Sequence, residues 1–194
     1  MKKYILLLSI LISTQAKAQD SLSSFNQKRN LINQTGMKVL GGWALANIAI
    51  GSVAFYRTKG VSRYFNQMNI FWNVVNLGIA TAGFYGAKEA LNKQSNLAQS
   101  MHEQHQTEQI LLFNAGLDVA YIAGGLYLGQ RGINKNSERL RGYGNSVILQ
   151  GAFLLLFDGS MFAIQNHHGK NADRFLNQVK LNFNGNQIGF LYKL

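Results

Sequence analysis

Neither cysteine nor proline occurs anywhere in the 194 residues. Without cysteine no disulfide can staple the fold, and no thiolate can ligate a metal or attack a substrate. Without proline the helices lack proline kinks, so any sharp bend falls to glycine or serine. Acids are scarce as well: eight Asp and Glu stand against nineteen Lys and Arg, giving a formal charge of +11. Only 14% of the chain is charged while 47% is hydrophobic, an imbalance unusual for a soluble domain. No phosphate-cradling glycine loop, nucleophile elbow or dinucleotide fingerprint is present, because the glycines lie within apolar stretches.

What the chain does contain is four long apolar runs. They are residues 36–56, 69–87, 110–129 and 146–164, each close to the roughly 20 residues a helix needs to cross a bilayer. A water-soluble helix of this length carries a recurring charged face, and none of these does. Ahead of them, "MKKYILLLSILISTQAKAQD" has two lysines, a short apolar stretch and Ala16-Lys17-Ala18, the layout of a secretory signal cleaved before Gln19. Residues 19–35 are polar and expected to be mobile. The tail, 166–194, ends in "VKLNFNGNQIGFLYKL", two alternating apolar stretches around Asn184-Gly185, which predicts a β-hairpin. The expected fold is therefore all-α and membrane-embedded. A four-helix transmembrane bundle over 36–165, made of two antiparallel helical hairpins, follows the signal, and a short hairpin closes the chain.

Removal of residues 1–18 leaves a basic chain whose N-terminus lies outside the cytoplasm. That puts Arg57, Lys59 and Arg63, then Arg131, Lys135, Arg139 and Arg141, on the inner side, with both termini periplasmic and the protein in the inner membrane. An export signal and dispersed charge argue against nucleic acid as a partner. Membrane lipid, a second copy of the chain or another membrane protein are the partners to expect.

Polar side chains within the runs are few and fall at helical spacing. Asn69, Asn73 and Asn76 form one stripe, and Asn114, Asp118 and Tyr121 form another, with Asn47, Gln150 and Asp158 completing the set. Counted from the outer ends, Asp118 and Asp158 lie at nearly one depth. In an antiparallel hairpin the two carboxyl groups would then face each other, sharing a proton and flanked by Asn114, Tyr121 and Asn76. An ionisable group at bilayer depth is a functional-site candidate by default, although such residues also serve to hold helices together. Helix contacts are expected along Gly125 and Gly129, along Gly116, Ala120 and Gly124, and at Ala82 and Gly86. The four histidines, His102, His105, His167 and His168, fall outside the runs at the same end, and with Glu103 and Glu108 they are candidate metal ligands. No nucleophile and base stand at working distance in the sequence, so neither an enzyme nor a cofactor is expected.

Four stretches, "GGWALANIAIG", "FNQMNIFWNVVNLGIA", "LLFNAGLDVAYIAGGLYL" and "LRGYGNSVILQGAFLLLFD", resemble the signature blocks of a small four-span membrane-protein family of unknown function from gram-negative bacteria. The resemblance covers about residues 34–165. It implies a membrane location and the number of spans, and no activity. A structural or interaction component with a buried polar network is the leading expectation, and a proton- or ion-coupled transporter using Asp118 and Asp158 is the alternative.

Overall fold

A computed structural model describes the backbone of residues 2–183 and 188–192 and the side chains of residues 21–171. Four helices follow in order: α1 (Lys2–Arg57), α2 (Gly60–Ala90), α3 (Leu97–Asn134) and α4 (Glu138–Gln178). Each contains one of the four apolar runs and extends beyond it. Helix ends are therefore set by local backbone chemistry, and hydropathy does not mark them. Gly60 opens α2 with φ of +61°, and Asn136 turns α3 into α4 with φ of +49°, left-handed conformations that these two residue types tolerate best. Asn96 starts α3 with a reciprocal cap. Its side chain accepts from the Gln99 amide at 2.9 Å, and its own amide donates to Gln99 Oε1 at 3.2 Å.

The helices pack as two hairpins, α1 with α2 and α3 with α4, joined mainly where α2 lies against α4. On α2 the buried positions are Asn66, Asn69, Asn73, Asn76, Ala80 and Ala87. On α3 they are Ser100, Gln104, Leu111, Asp118, Gly125 and Gly132. Alternating steps of three and four, or steps of seven, are the signature of bundle packing with interlocked side chains. α3 and α4 approach so closely that a Cβ on Gly125 would lie 2.8 Å from the Gly144 carbonyl oxygen, and one on Gly144 would lie 2.6 Å from the Gly125 carbonyl oxygen. Glycine is required on both sides of this seam.

Polarity is inverted relative to a soluble bundle. Among the described residues fifteen polar or charged side chains are buried against seven apolar ones, while Ile50, Phe71, Phe113, Leu126 and Leu156 stand exposed. Among the described residues three helical segments are long and apolar enough to cross a membrane: Ser21–Arg57, Leu97–Asn134 and Glu138–Asn171. α2 is not among them. Its inward asparagines lower its hydropathy, although its outward Phe71, Val74, Val75 and Ile79 are as apolar as those of its neighbours.

Several expectations need correction. The polar stretch 19–35 is not a mobile lead-in: α1 is continuous through it, and Asn26, Arg29 and Asn30 are buried. No glycine or proline occurs before Gly36 to interrupt that helix. The ladder Gly116, Ala120, Gly124 is no helix contact, since Gly116 and Gly124 face open space and Ala120 is exposed. Ala82 and Gly86 also point outward, and Gly83, against Met37, is the close approach on that helix. The basic "connections" shrink to two or three residues, so Arg63, Arg131, Arg139 and Arg141 lie in helix ends. Beyond α4 the backbone of β1 (Val179–Phe183) pairs antiparallel with β2 (Ile188–Tyr192), Val179 opposite Tyr192. The Asn184-Gly185 turn and the side chains of that segment lie outside the described residues.

Candidate functional site

The bundle interior holds one continuous side-chain network across three helices. On α1 the Trp43 indole Nε1 donates to Gln150 Oε1 of α4 at 3.0 Å. Gln150 Nε2 donates to Asn69 Oδ1 of α2. Asn69 Nδ2 in turn donates to Asn47 Oδ1 of α1 at 3.1 Å, and Asn73 Nδ2 donates to the Asn69 carbonyl oxygen at 2.8 Å. Gln150 and Asn73 are fully buried, so the bonds from Gln150 to Asn69 and from Asn73 to Asn69 are made away from solvent, while those of Trp43 and Asn47 are part-buried. Trp43 also stacks on Phe153 with ring centroids 3.9 Å apart, which fixes the indole and aims its N–H. The sequence stripes omitted Trp43 because its ring reads as apolar. Its signal is that a buried indole N–H needs an acceptor.

A second element couples α3 to α4. Asp118 and Asp158 are both buried, and their carboxyl groups meet in side-chain contact. Gly151 lets the helices close here, because a Cβ at that position would lie 3.1 Å from the Asp118 carbonyl oxygen. Neither acid makes an ion pair among the described residues. Two carboxyl groups in contact without a cation can share a proton or hold a small cation between them. The flanking residues proposed for them do not assemble. Asn114 is half-buried and its side chain makes no hydrogen bond among the described residues, and Tyr121 is exposed, meeting the edge of Trp72 with centroids 4.9 Å apart. Three residues of helix rotate Tyr121 about 60° away from Asp118, which takes it outside the narrow stripe that α3 buries. Asn76 is buried, but its Nδ2 finds no partner among the described residues.

A third cluster lies beyond the apolar runs, where α1, α3 and α4 continue past α2. Arg29, almost wholly buried, pairs with Glu103 and donates to the Ser100 carbonyl oxygen at 2.9 Å and to Asn26 Oδ1 at 3.1 Å. Gln165 Nε2 donates to Asn33 Oδ1 at 2.6 Å, and Gln104 Nε2 donates to the Gln165 carbonyl oxygen at 2.8 Å. His168 stacks on Phe25 at 4.3 Å with its Nε2 3.0 Å from the Phe25 carbonyl oxygen. Burial holds His168 below the usual imidazole range, Lys28 and Arg29 push the same way, and the Phe25 carbonyl and Glu108 oppose them. The metal expectation fails here. Among the described residues no three of His, Asp and Glu gather, since His168 turns inward onto Phe25 and His105 Nδ1 is occupied by the Met101 carbonyl oxygen at 2.9 Å.

The span that carries the buried stripes, residues 39–159, matches the model of a family of unknown function, DUF6992. The chain belongs to DUF6992. No curated protein and no solved structure matches it. The DUF6992 region takes in Trp43, Asn47, Asn69, Asn73, Gln150 and both buried acids. The Arg29 and His168 cluster, by contrast, joins residues on either side of that region, Arg29 before it and Gln165 and His168 after it, to Ser100, Glu103 and Gln104 within it.

Proposed function

We propose that this DUF6992 chain is an integral membrane protein of the inner membrane, a non-enzymatic structural or interaction component whose buried polar network specifies how four spanning helices pack. The inverted polarity carries the reading: asparagines, glutamines and carboxylic acids inside, large apolar side chains outside, which is the arrangement hydrocarbon favours and water does not. α2 serves as the fourth span because its polar residues face inward. The signal is cleaved before Gln19, both termini are periplasmic, and the outer loops and the C-terminal hairpin are the surfaces offered to a partner.

A chain without cysteine is ready for accessibility mapping. Single cysteines at exposed Lys59 and Lys135 are expected to react only from the cytoplasmic side, those at Lys93 and Lys170 only from the outside, and those at Ile50, Val75 and Leu156 from neither. Reaction of the last three with a membrane-impermeant reagent would sink the proposal.

The contact between Asp118 and Asp158 supports a second reading, a small proton- or ion-coupled transporter in which that pair binds the ion. Asp118→Asn and Asp158→Asn decide between them. Loss of proton-coupled flux through reconstituted protein of unchanged stability favours transport, and loss of bundle stability alone favours packing.

A further inference from the structure

Along the outer face of the seam between α1 and α4 runs an apolar groove of about 420 Å³. Leu31, Val39, Phe157 and Ile164 are among its walls, and Met161 lies against Gly36 at its back. One turn beyond Val39 and Phe157, the stacked rings of Trp43 and Phe153 bridge the two helices. At the opposite end stands Lys28, exposed and in no ion pair among the described residues, and no acid lines the groove. We propose that this groove holds one acyl chain of an anionic phospholipid from the surrounding bilayer, with the lipid phosphate at Lys28.

The proposal rests on the membrane reading above. A groove facing hydrocarbon is filled by lipid, since an empty one forfeits the dispersion contacts of its walls. Its charge pattern selects the lipid: a lone cation at one end and only apolar surface along the rest match an anionic headgroup followed by a chain. Its length fits too. From Lys28 to Val39 the helix rises ~16 Å at about 1.5 Å per residue, which carries the groove from the headgroup level beyond the apolar run into the outer end of the hydrocarbon span. The Lys28 stem lies along the wall while its ammonium reaches the phosphate level.

The test uses the full chain carrying Trp72→Phe, which leaves Trp43 as the sole tryptophan, reconstituted in zwitterionic vesicles. A small fraction of phosphatidylglycerol brominated on its acyl chains is expected to quench Trp43 several-fold more than the same fraction of brominated phosphatidylcholine. Lys28→Gln should abolish that preference, Lys28→Arg should keep it, and Ser160→Phe, which fills the groove, should reduce both lipids to one common level. Equal quenching by the two lipids, or a preference that survives Lys28→Gln, overturns the site. Quenching of Trp43 by aqueous iodide with none from either lipid overturns the membrane reading and the site with it.

Discussion

Gly124 and Gly125 are neighbours on α3, yet replacing each with alanine should move stability in opposite directions. At Gly125 the added Cβ would sit 2.8 Å from the Gly144 carbonyl oxygen, 2.8 Å from Ile148 Cγ1 and 2.9 Å from the Ile148 amide nitrogen. Two of those three atoms are backbone, so no rotamer change relieves the clash, and the helices must separate by a large fraction of an ångström. A gap of about 0.5–1 Å forfeits a quarter to a half of each contact's attraction along the seam. Overpacking of this kind typically costs about 1–3 kcal/mol. At Gly124 the Cβ meets nothing within 4 Å. Only the backbone effect remains there, and alanine in a helix is favoured over glycine by about 0.5–1 kcal/mol. Reversible unfolding of the purified chain in mixed micelles, followed by helix circular dichroism, reads both variants against the wild type. Equal shifts, or a Gly125→Ala variant as stable as Gly124→Ala, would refute the close α3/α4 seam.

Gln150→Leu removes the acceptor of the Trp43 indole and one of the two side-chain donors to Asn69 Oδ1, and at about 0.6–1.7 kcal/mol per interhelical bond it should cost about 1–3 kcal/mol in the same unfolding titration. An unchanged midpoint would mean that the network does not hold the helices. Arg29→Met deletes bonds to Glu103, Asn26 and the Ser100 carbonyl, and a loss of about 2–3 kcal/mol is expected, discounted because Glu103 is partly exposed and keeps Lys93. His168 lies beyond the apolar run of α4 and is held below the usual imidazole range by burial, with Lys28 and Arg29 acting the same way and the Phe25 carbonyl and Glu108 against them. Its affinity for a proton is lower folded than unfolded, so its contribution is fully present above the unfolded value of 6.5 and is lost as pH falls through it. Stability should therefore decline as pH falls below 6.5 more steeply in the wild type than in His168→Gln. A wild type that gains stability on acidification would contradict the sign.

The helical hairpins and the meeting of the two buried acids were legible because both follow from counting. Four runs without charged faces fix four helices, and equal distances from the helix ends bring Asp118 level with Asp158. Tyr121 failed because a stripe read at i, i+4, i+7 is wider than the strip that an edge helix buries. The Arg29 cap failed for a different reason. A polar sequence reads as solvated, yet Asn26, Arg29, Asn33, Gly36 and Leu40 continue the three-and-four spacing of the apolar seam with polar residues. That spacing, with no glycine or proline upstream of Gly36, was the available signal. The glycine seams were visible as composition but not as direction, because small residues recur at close intervals from Ala115 to Gly132 and only packing selects Gly125 over Gly124.

The two readings of the interior make different demands on its polar atoms, and the atoms divide accordingly. Glue works when each donor and acceptor is matched, since an unmatched buried group costs more than a made bond returns. The layer at Trp43, Gln150, Asn69 and Asn47 comes close to that demand: the indole N–H, both Gln150 termini and both Asn69 termini each make at least one side-chain bond. One and two turns further along α2, Asn73 Oδ1 and Asn76 Nδ2 are buried without partners among the described residues, as is Ser146 Oγ on α4. Buried polar atoms left in that condition are where ordered water is retained. A bonded layer of this kind suits the packing reading. Among the described residues the carboxyl pair makes no ion pair and lies in an interior that also holds unpartnered amide and hydroxyl groups, which is what the transport reading asks of it.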